Sequence, residues 1–244
     1  MTDRQQVYTA PTMQWDSESY TPVSNKLIMD LIEDKLNQNN LVVKNQEYRT
    51  YRNNSGIIRG VIGGYDIATP DNEFGQRVMF RNSYDKSMSF AFVCGTVVWI
   101  CSNGCISGDY KYRRIHRGVI TDESSTTIED IIENIEGGFN ILQNSFEQNS
   151  RQLNELKHFE ISPEESYKIL GELFFKQEVI SIQQMSVIKK ELSFSQNFRH
   201  IGDTDFTAYD LYNHITESLK QSHPLNYVDD HVKTHKLFEK TFNI

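Results

Sequence analysis

The sequence is poor in cysteine and in long apolar runs, and each scarcity excludes a class of protein. The three cysteines, Cys94, Cys101 and Cys105, are spaced C-x6-C-x3-C, which matches neither an even-numbered disulfide framework nor a tight pair of zinc ligands. We therefore expect reduced thiols packed as small apolar side chains, with a metal or redox site as the alternative, and we predict no metal and no cofactor. The longest apolar run, within residues 90–105, is broken by glycine, serine and asparagine and falls short of the roughly 18 residues that cross a membrane.

Several signatures of targeting and catalysis are also missing. The first 20 residues contain no basic stretch followed by an apolar run, so we expect no signal peptide, no membrane partner and a cytoplasmic location. The chain has no GxxxxGK[ST] and no GxSxG, and Gly63–Gly64 lacks the rest of a GxGxxG pattern. Nucleotide-cradling and esterase activities are therefore unsupported.

The patterns that are present predict an α+β protein. Ser24 is a helix cap before apolar residues at helical spacing, and residues 41–117 then alternate strand-like pieces with turn clusters. We expect a mainly antiparallel central sheet of about five strands, with Phe90–Ile100 as its most buried strand and Trp99 as a core side chain. Helical spacing returns after Asp122 and continues through the C-terminal half.

Helix signals subdivide that second half. Ser162, Pro163 and Glu165 form a capping box with proline in the first turn, and further helices are expected at 178–192, at 207–221 after a cap at Thr204 or Asp205, and at 227–240. We expect an arm at 1–23, a helix and sheet region at 24–121, and a helical region at 122–244 that packs on the sheet, all within one domain.

The charge distribution is uneven along the chain. Residues 1–43 contain 3 basic and 6 acidic side chains, residues 44–117 contain 11 and 6, and residues 118–244 contain 11 and 21. The overall net charge of −8 therefore conceals a basic middle segment with a net charge of +5. Such asymmetry indicates an anionic partner for the sheet.

Arginine and tyrosine are interleaved in this basic segment, and that pairing is typical of surfaces that stack bases and hold phosphates. The alternative is a solvated strand face with ordinary cross-strand pairs. His116 lies among three arginines that disfavour its charged form and leave a neutral imidazole able to accept a proton or bind a metal. Because no nucleophile or metal partner adjoins it, we favour phosphate-side binding over catalysis. The candidate nucleic-acid-binding residues are Arg49, Arg52, Arg81, Tyr110, Tyr112, Arg113, Arg114, His116 and Arg117. Another pair, His231 and His235, has metal-ligand spacing but is expected to lie on a solvated helix face.

Four patches resemble one family in order and spacing. They are Asn82–Ser87 (NSYDKS), Cys101–Cys105 (CSNGC), Arg113–Gly118 (RRIHRG) and Thr207–Thr216 (TAYDLYNHIT). The succession resembles the uncharacterised phage- and plasmid-type proteins of the domain of unknown function 932, across roughly residues 60–220. The resemblance implies a mobile-element context and no reaction. We interpret the following as structural motif residues: Asn82, Asp85, Asn103, Gly104, Tyr212, Asn213 and Thr216.

Three functions are compatible with these observations. The first is a non-enzymatic accessory protein of DNA metabolism that binds single-stranded nucleic acid through the basic sheet and self-associates as a homo-oligomer. The second is an acidic interaction module, such as an inhibitor of a host or defence protein, whose charge imitates DNA. The third is an Arg/His-centred phosphodiester or nucleotide enzyme. The first two are distinguished by whether the arginines converge on one open surface.

Overall fold

The structure is a computed structural model that describes residues 2–12, 22–101, 103–105, 111–114 and 125–244. Six strands and eight helical segments occur in these ranges, and the fold is α+β as predicted. The strands are β1 (Val43–Arg52), β2 (Ile58–Ile67), β3 (Phe74–Ser83), β4 (Phe90–Val98), β5 (Asn103–Cys105) and β6 (Lys111–Arg114). The α-helices are α1 (Arg4–Tyr8), α2 (Asn25–Gln38), α3 (Ser125–Leu156), α4 (Pro163–Gly171), α5 (Ile182–Phe194), α6 (Ala208–Leu219) and α7 (Tyr227–Phe242), and a π-helical turn covers Glu172–Lys176.

The sheet is a meander with two short additions. Strands β1 to β5 are neighbours in sequence order, and β6 also pairs with β4. The pairings with a described register are antiparallel: β1 with β2, β2 with β3, and β4 with both β5 and β6. The first four strands are 9 or 10 residues long, so most of the predicted sheet lies in two successive hairpins.

The chain divides into two compact units that are discontinuous in sequence. Unit 1 contains residues 1–70, 75–95 and 109–144, and unit 2 contains residues 71–74, 96–108 and 145–244. The predicted boundaries at 23 and 121 were linear and therefore differ from this division. Sequence periodicity detects where elements begin and end, whereas compact units depend on contacts distant in sequence.

The core of unit 1 forms between the amphipathic helix α2 and one sheet face. Ser24 caps α2 by accepting from the Leu27 amide, as predicted. Buried side chains of α2 join buried sheet side chains such as Tyr65 and Phe80 in one apolar cluster. Gly63 is required here, because a Cβ on it would collide with the ring of Phe80.

Strand β4 is fully buried, but it ends earlier than predicted. Every residue of Phe90–Val98 is buried. Trp99 is half-buried and Ile100 is 63% exposed, so the expectation that both belong to the buried strand was wrong. Strands β2 and β3 are buried to a similar degree. An apolar run alone does not show where a strand leaves the sheet.

The helix starts of unit 2 follow the predicted capping chemistry with one correction. Ser162 and Glu165 form a reciprocal capping box with Pro163 in the first turn, as predicted. Helix α6 begins at a capping box of Thr207 and Asp210, not at Thr204 or Asp205. The Asp210 carboxylate accepts from both the amide and the hydroxyl of Thr207, which satisfies donors that would otherwise be orphaned.

His231 and His235 are buried in unit 2, so the solvated-face interpretation was wrong. Their exposed fractions are 1% and 0%. His235 lies 3.3 Å from the Tyr212 hydroxyl through Nδ1 and 3.1 Å from Gln152 Oε1 through Nε2. Helix α7 therefore turns both histidines toward the interior, where hydrogen bonds compensate for burial of the His235 ring and the His231 ring packs edge to face on Tyr227.

The described part of the N-terminal arm is docked in unit 1. Helix α1 places Val7 in the core, and Arg4 forms a bidentate pair with Glu33 on α2. The Tyr8 hydroxyl donates to Asp30 at 2.9 Å. Trp15 and Tyr20, two aromatic residues of the arm, lie outside the described residues. No helix among the described residues is long and apolar enough to cross a membrane.

Candidate functional site

One end of the sheet in unit 1 gathers basic residues from three separate segments. We define this hairpin end as residues 51–59, 83–90 and 113–114. Arg52 pairs with Ile58 across the first hairpin, and the Tyr84 amide donates to the Arg59 carbonyl at 2.7 Å. Arg114 pairs with Phe90 at the start of β4. In a meander, successive turns lie at alternate ends of the sheet. The first turn, between β1 and β2, and the third turn, between β3 and β4, therefore lie at the same end.

The hairpin end contains a strong local excess of positive charge. Its basic residues are Arg52, Arg59, Lys86, Arg113 and Arg114, and its acidic residue is Asp85. Arg52 and Lys86 are exposed, and Arg59 is half-buried. Arg52 donates to the Gly56 carbonyl and to Gln6 Oε1, which orients its guanidinium without neutralising it. Such a surface attracts a polyanion over a distance of about one Debye length, roughly 8–10 Å.

The carboxylate of Asp85 organises the third turn, between β3 and β4. It accepts from the Tyr51 hydroxyl at 2.5 Å and from the Ser87 amide at 3.1 Å, while the Ser87 hydroxyl also contacts both side chains. Lys86 between them has a positive φ of 63°, which a non-glycine residue adopts only at some cost. The turn is thereby held in a conformation that projects Lys86 toward solvent.

Arg49 and Arg81, two of the predicted contact residues, lie on the same face of the sheet. Arg49 lies opposite Ile62 and Ile62 lies opposite Arg81, so the three side chains share one face. Arg49 is half-buried and forms an ion pair with Glu47 at 2.6 Å. Arg81 is only 5% exposed, and its guanidinium donates to Ser89, while burial lowers its pKa. These two arginines are therefore less accessible than Arg52.

A third arginine on this face has a structural role. Arg77 forms a bidentate pair with Asp66, with Nε to Oδ1 at 2.5 Å and Nη2 to Oδ2 at 3.0 Å. Both side chains are at most 4% exposed. Removing one partner would leave an uncompensated buried charge, so we interpret this pair as part of the sheet and not of a binding surface.

The remaining predicted contacts are placed only in part. Tyr110, His116 and Arg117 lie outside the described residues. Tyr112, Arg113 and Arg114 belong to β6, whose backbone register with Phe92, Ala91 and Phe90 is described. Asn103 and Gly104 form β5, which pairs with Val98 and Val97. Arg59 and Lys86 were missed as candidates, although each stands beside a turn cluster in the basic segment.

The NSYDKS patch joins the sheet to α2. The side-chain amide of Asn82 donates to the Val23 carbonyl and to Asn25 Oδ1, both at 2.8 Å, and Asn82 is fully buried. The Tyr84 hydroxyl accepts from the Asn25 amide at 2.7 Å. Asn82 and Tyr84 at the end of β3 therefore fix the start of α2.

The second and fourth patches meet inside unit 2. Cys101 Sγ lies 3.8 Å from Asn213 Oδ1, and Lys220 Nζ donates to the Cys101 carbonyl at 2.7 Å. Asn213 also donates to the Tyr209 carbonyl, and Thr216 to the Asn213 carbonyl. Tyr212, Asn213 and Thr216 are each at most 1% exposed. This motif therefore supplies packing and hydrogen bonds in the interior.

A polar groove of about 830 Å³ opens in unit 2 beside the start of α6. Glu73 is bound there by Lys157 at 2.6 Å and by the Tyr209 hydroxyl at 3.0 Å, and burial raises the Tyr209 pKa. Arg199 pairs with Asp205 at 2.7 Å. The charged groups named here are already paired with one another. We therefore interpret them as structural ion pairs and hydrogen bonds and not as a ligand site.

The described residues form no metal-binding cluster. No group of three or more histidine, cysteine or acidic side chains among them is arranged to hold a metal ion. Cys94 is buried, its thiol donates to the Gly138 carbonyl at 3.3 Å, and burial raises its pKa to about 12. That thiol is therefore a core group, as predicted, and not a nucleophile.

Comparison with known proteins gives the chain a family but no activity. No curated protein and no solved structure matches it. A family model described as a domain of unknown function matches residues 13–240, which is most of the chain and contains all four sequence patches. The chain therefore belongs to the domain of unknown function 932 family.

Proposed function

We propose that this protein is a non-enzymatic binding protein for single-stranded nucleic acid, with the hairpin end of the sheet as its contact surface. The observation that carries the proposal is the convergence of five basic residues and one acidic residue on that end of the sheet. Phosphate neutralisation supplies most of the affinity of sequence-independent binders. The phage or plasmid setting and a role in DNA metabolism belong to the same proposal.

Each class of residue has a distinct expected role. Arg52, Lys86 and Arg114 neutralise phosphates, and Tyr112 on β6 stacks on a base. Arg81 is buried and supports the turn through Ser89 instead of contacting the strand. Relative to the candidates named from the sequence, this assignment adds Lys86 and omits the buried Arg81 as a contact.

Fluorescence anisotropy of a labelled oligothymidylate, measured over a series of salt concentrations, tests the proposal. Affinity for a single strand should fall with salt at a log–log slope of about −0.7 per phosphate contact, so Arg52→Ala, Lys86→Ala and Arg114→Ala should each flatten the slope. Tyr112→Ala should weaken binding by about 1–3 kcal/mol with little change in slope.

Lys189→Ala is the matched control, because this lysine is exposed on α5 in unit 2. It should leave both affinity and slope unchanged. Absence of salt-dependent binding by the unmodified protein would overturn the proposal. The acidic interaction module, with 21 acidic and 11 basic residues after position 117, would then take its place.

A further inference from the structure

Unit 2 exposes an apolar patch next to its π-helical turn. Phe175 is 81% exposed and Ile182 is 76% exposed. The rings of Phe174 and Phe175 meet edge to face with their centroids 4.7 Å apart, so the two aromatics form one continuous surface. Leaving such side chains in water costs free energy that burial against a partner recovers, at about 25 cal/mol per Å². π-Helical turns are frequent at functional sites.

A cavity of about 690 Å³ lies beside this patch. Phe174, Ile180 and Ile182 supply apolar walls. The charged lining residues that the structure describes are Glu178 and Asp230, and His223 is the third titratable one, with no lysine or arginine among them. The cavity therefore combines apolar walls with negative charge, which is complementary to a cationic side chain that has an aliphatic stem.

Asp230 is the buried charge of the cavity. It is 8% exposed, and burial raises its pKa to about 6, so it is mainly ionised at neutral pH in a poorly solvated place. The Ser222 hydroxyl hydrogen-bonds it, and Gln184 Nε2 in turn donates to Ser222 at 2.9 Å. A carboxylate has about four acceptor positions, so Asp230 can accept hydrogen bonds in addition to the one from Ser222. Lys233 attracts it electrostatically, but Lys233 is exposed and its ammonium points to the Gln177 carbonyl at 3.5 Å.

We propose that this cavity receives an arginine or lysine side chain from a partner protein, whose neighbouring apolar residues cover Phe175 and Ile182. The cationic head pairs with Asp230, and its stem lies between Phe174 and Ile182. Arginine is favoured, because its planar guanidinium donates two parallel hydrogen bonds to a carboxylate and is weakly hydrated. The site is independent of the nucleic-acid surface, which lies in unit 1.

The test uses the whole isotope-labelled protein at pH 7.5. The probe is a capped five-residue peptide with central arginine and leucine on both sides, and its control contains citrulline, which keeps the shape but removes the charge. The arginine peptide should shift the amide resonances of residues 181–184 and 221–230. The citrulline peptide should bind about tenfold more weakly. Equal binding of the two peptides would overturn the charge assignment.

Two substitutions with a matched control complete the test. Asp230→Asn keeps the shape of the side chain and should weaken the arginine peptide about tenfold while leaving the citrulline peptide unchanged. Ile182→Gln should weaken both peptides about threefold. Phe194→Gln removes an apolar residue of the same 76% exposure on the same helix, outside the cavity, and should change neither affinity. Equal effects at positions 182 and 194, or none at 230, would overturn the proposal.

Discussion

The Tyr51 hydroxyl on β1 donates a 2.5 Å hydrogen bond to Asp85 in the turn between β3 and β4. This bond joins the two hairpin turns whose basic residues form the proposed nucleic-acid surface. Asp85 therefore has two opposing effects, since it orders the surface and also places a negative charge among the cations. The balance between them is measurable.

Asp85→Asn should strengthen binding of an oligothymidylate about threefold at low salt. The asparagine oxygen still accepts from Tyr51, while the repulsion of phosphates disappears, and surface charge interactions are worth up to about 1 kcal/mol. Anisotropy titration measures the change. Asp34→Asn, the same change at an exposed position more than two turns into α2, should have no effect, and equal strengthening by both variants would indicate only a general charge effect.

Asn82→Ala should destabilise unit 1 by about 1–3 kcal/mol. The substitution removes two donated hydrogen bonds and leaves the Val23 carbonyl and Asn25 Oδ1 without these donors in a buried place. Urea unfolding monitored by circular dichroism gives the free energy. Asn54→Ala, at an exposed turn position, should stay within about 0.5 kcal/mol of the unmodified protein.

Gly63→Ala should also destabilise unit 1, by about 1–3 kcal/mol, because the added methyl group would collide with the Phe80 ring and approach Tyr48 Cε1 at 3.0 Å. Gly64→Ala is the adjacent control. There the new Cβ would meet Met79 Cγ at 3.4 Å, an ordinary contact. Similar unfolding midpoints for the two variants would contradict the steric explanation.

Burial of Asp230 should make stability fall as pH rises from about 4 to about 6. Its folded pKa of about 6 is above the unfolded value of about 3.9, so the native state binds the additional proton in this window. Asp230→Asn should remove this dependence and stabilise the protein at pH 7 by on the order of 2 kcal/mol. Urea unfolding of both proteins across pH 3.5–8 isolates the difference. Parallel curves would contradict the assignment.

Cys94 should resist alkylation in the native protein. The reactive thiolate is scarce because burial raises the pKa to about 12, and the surrounding core excludes the reagent. Iodoacetamide at pH 8 followed by peptide mass spectrometry should modify the half-buried Cys101 faster than Cys94. Denaturant should abolish the difference. Equal alkylation rates of Cys94 and Cys101 in the native protein would contradict the prediction and show that the core around Cys94 opens readily.

Local chemistry was sufficient to predict most of the elements of this protein, although not the cap of α6 or the end of β4. Caps such as Ser24 and Ser162 act within one helical turn, so their roles can be derived from spacing alone. The strand-to-helix order and the α+β class follow from the change of hydrophobic period near residues 41 and 122. The basic middle segment was likewise evident from composition.

Tertiary structure decided which of those residues are accessible. Arg52 and Arg81 have the same side chain and similar sequence surroundings, yet Arg52 is exposed at a turn and Arg81 is buried beside Ser89. His231 and His235 have the spacing of an exposed helix face but point inward, since the Tyr212 and Gln152 side chains provide partners for His235. The accessibility of a residue depends on which segments, distant in sequence, cover it. The meeting of the first and third turns of the sheet likewise depends on contacts between segments distant in sequence.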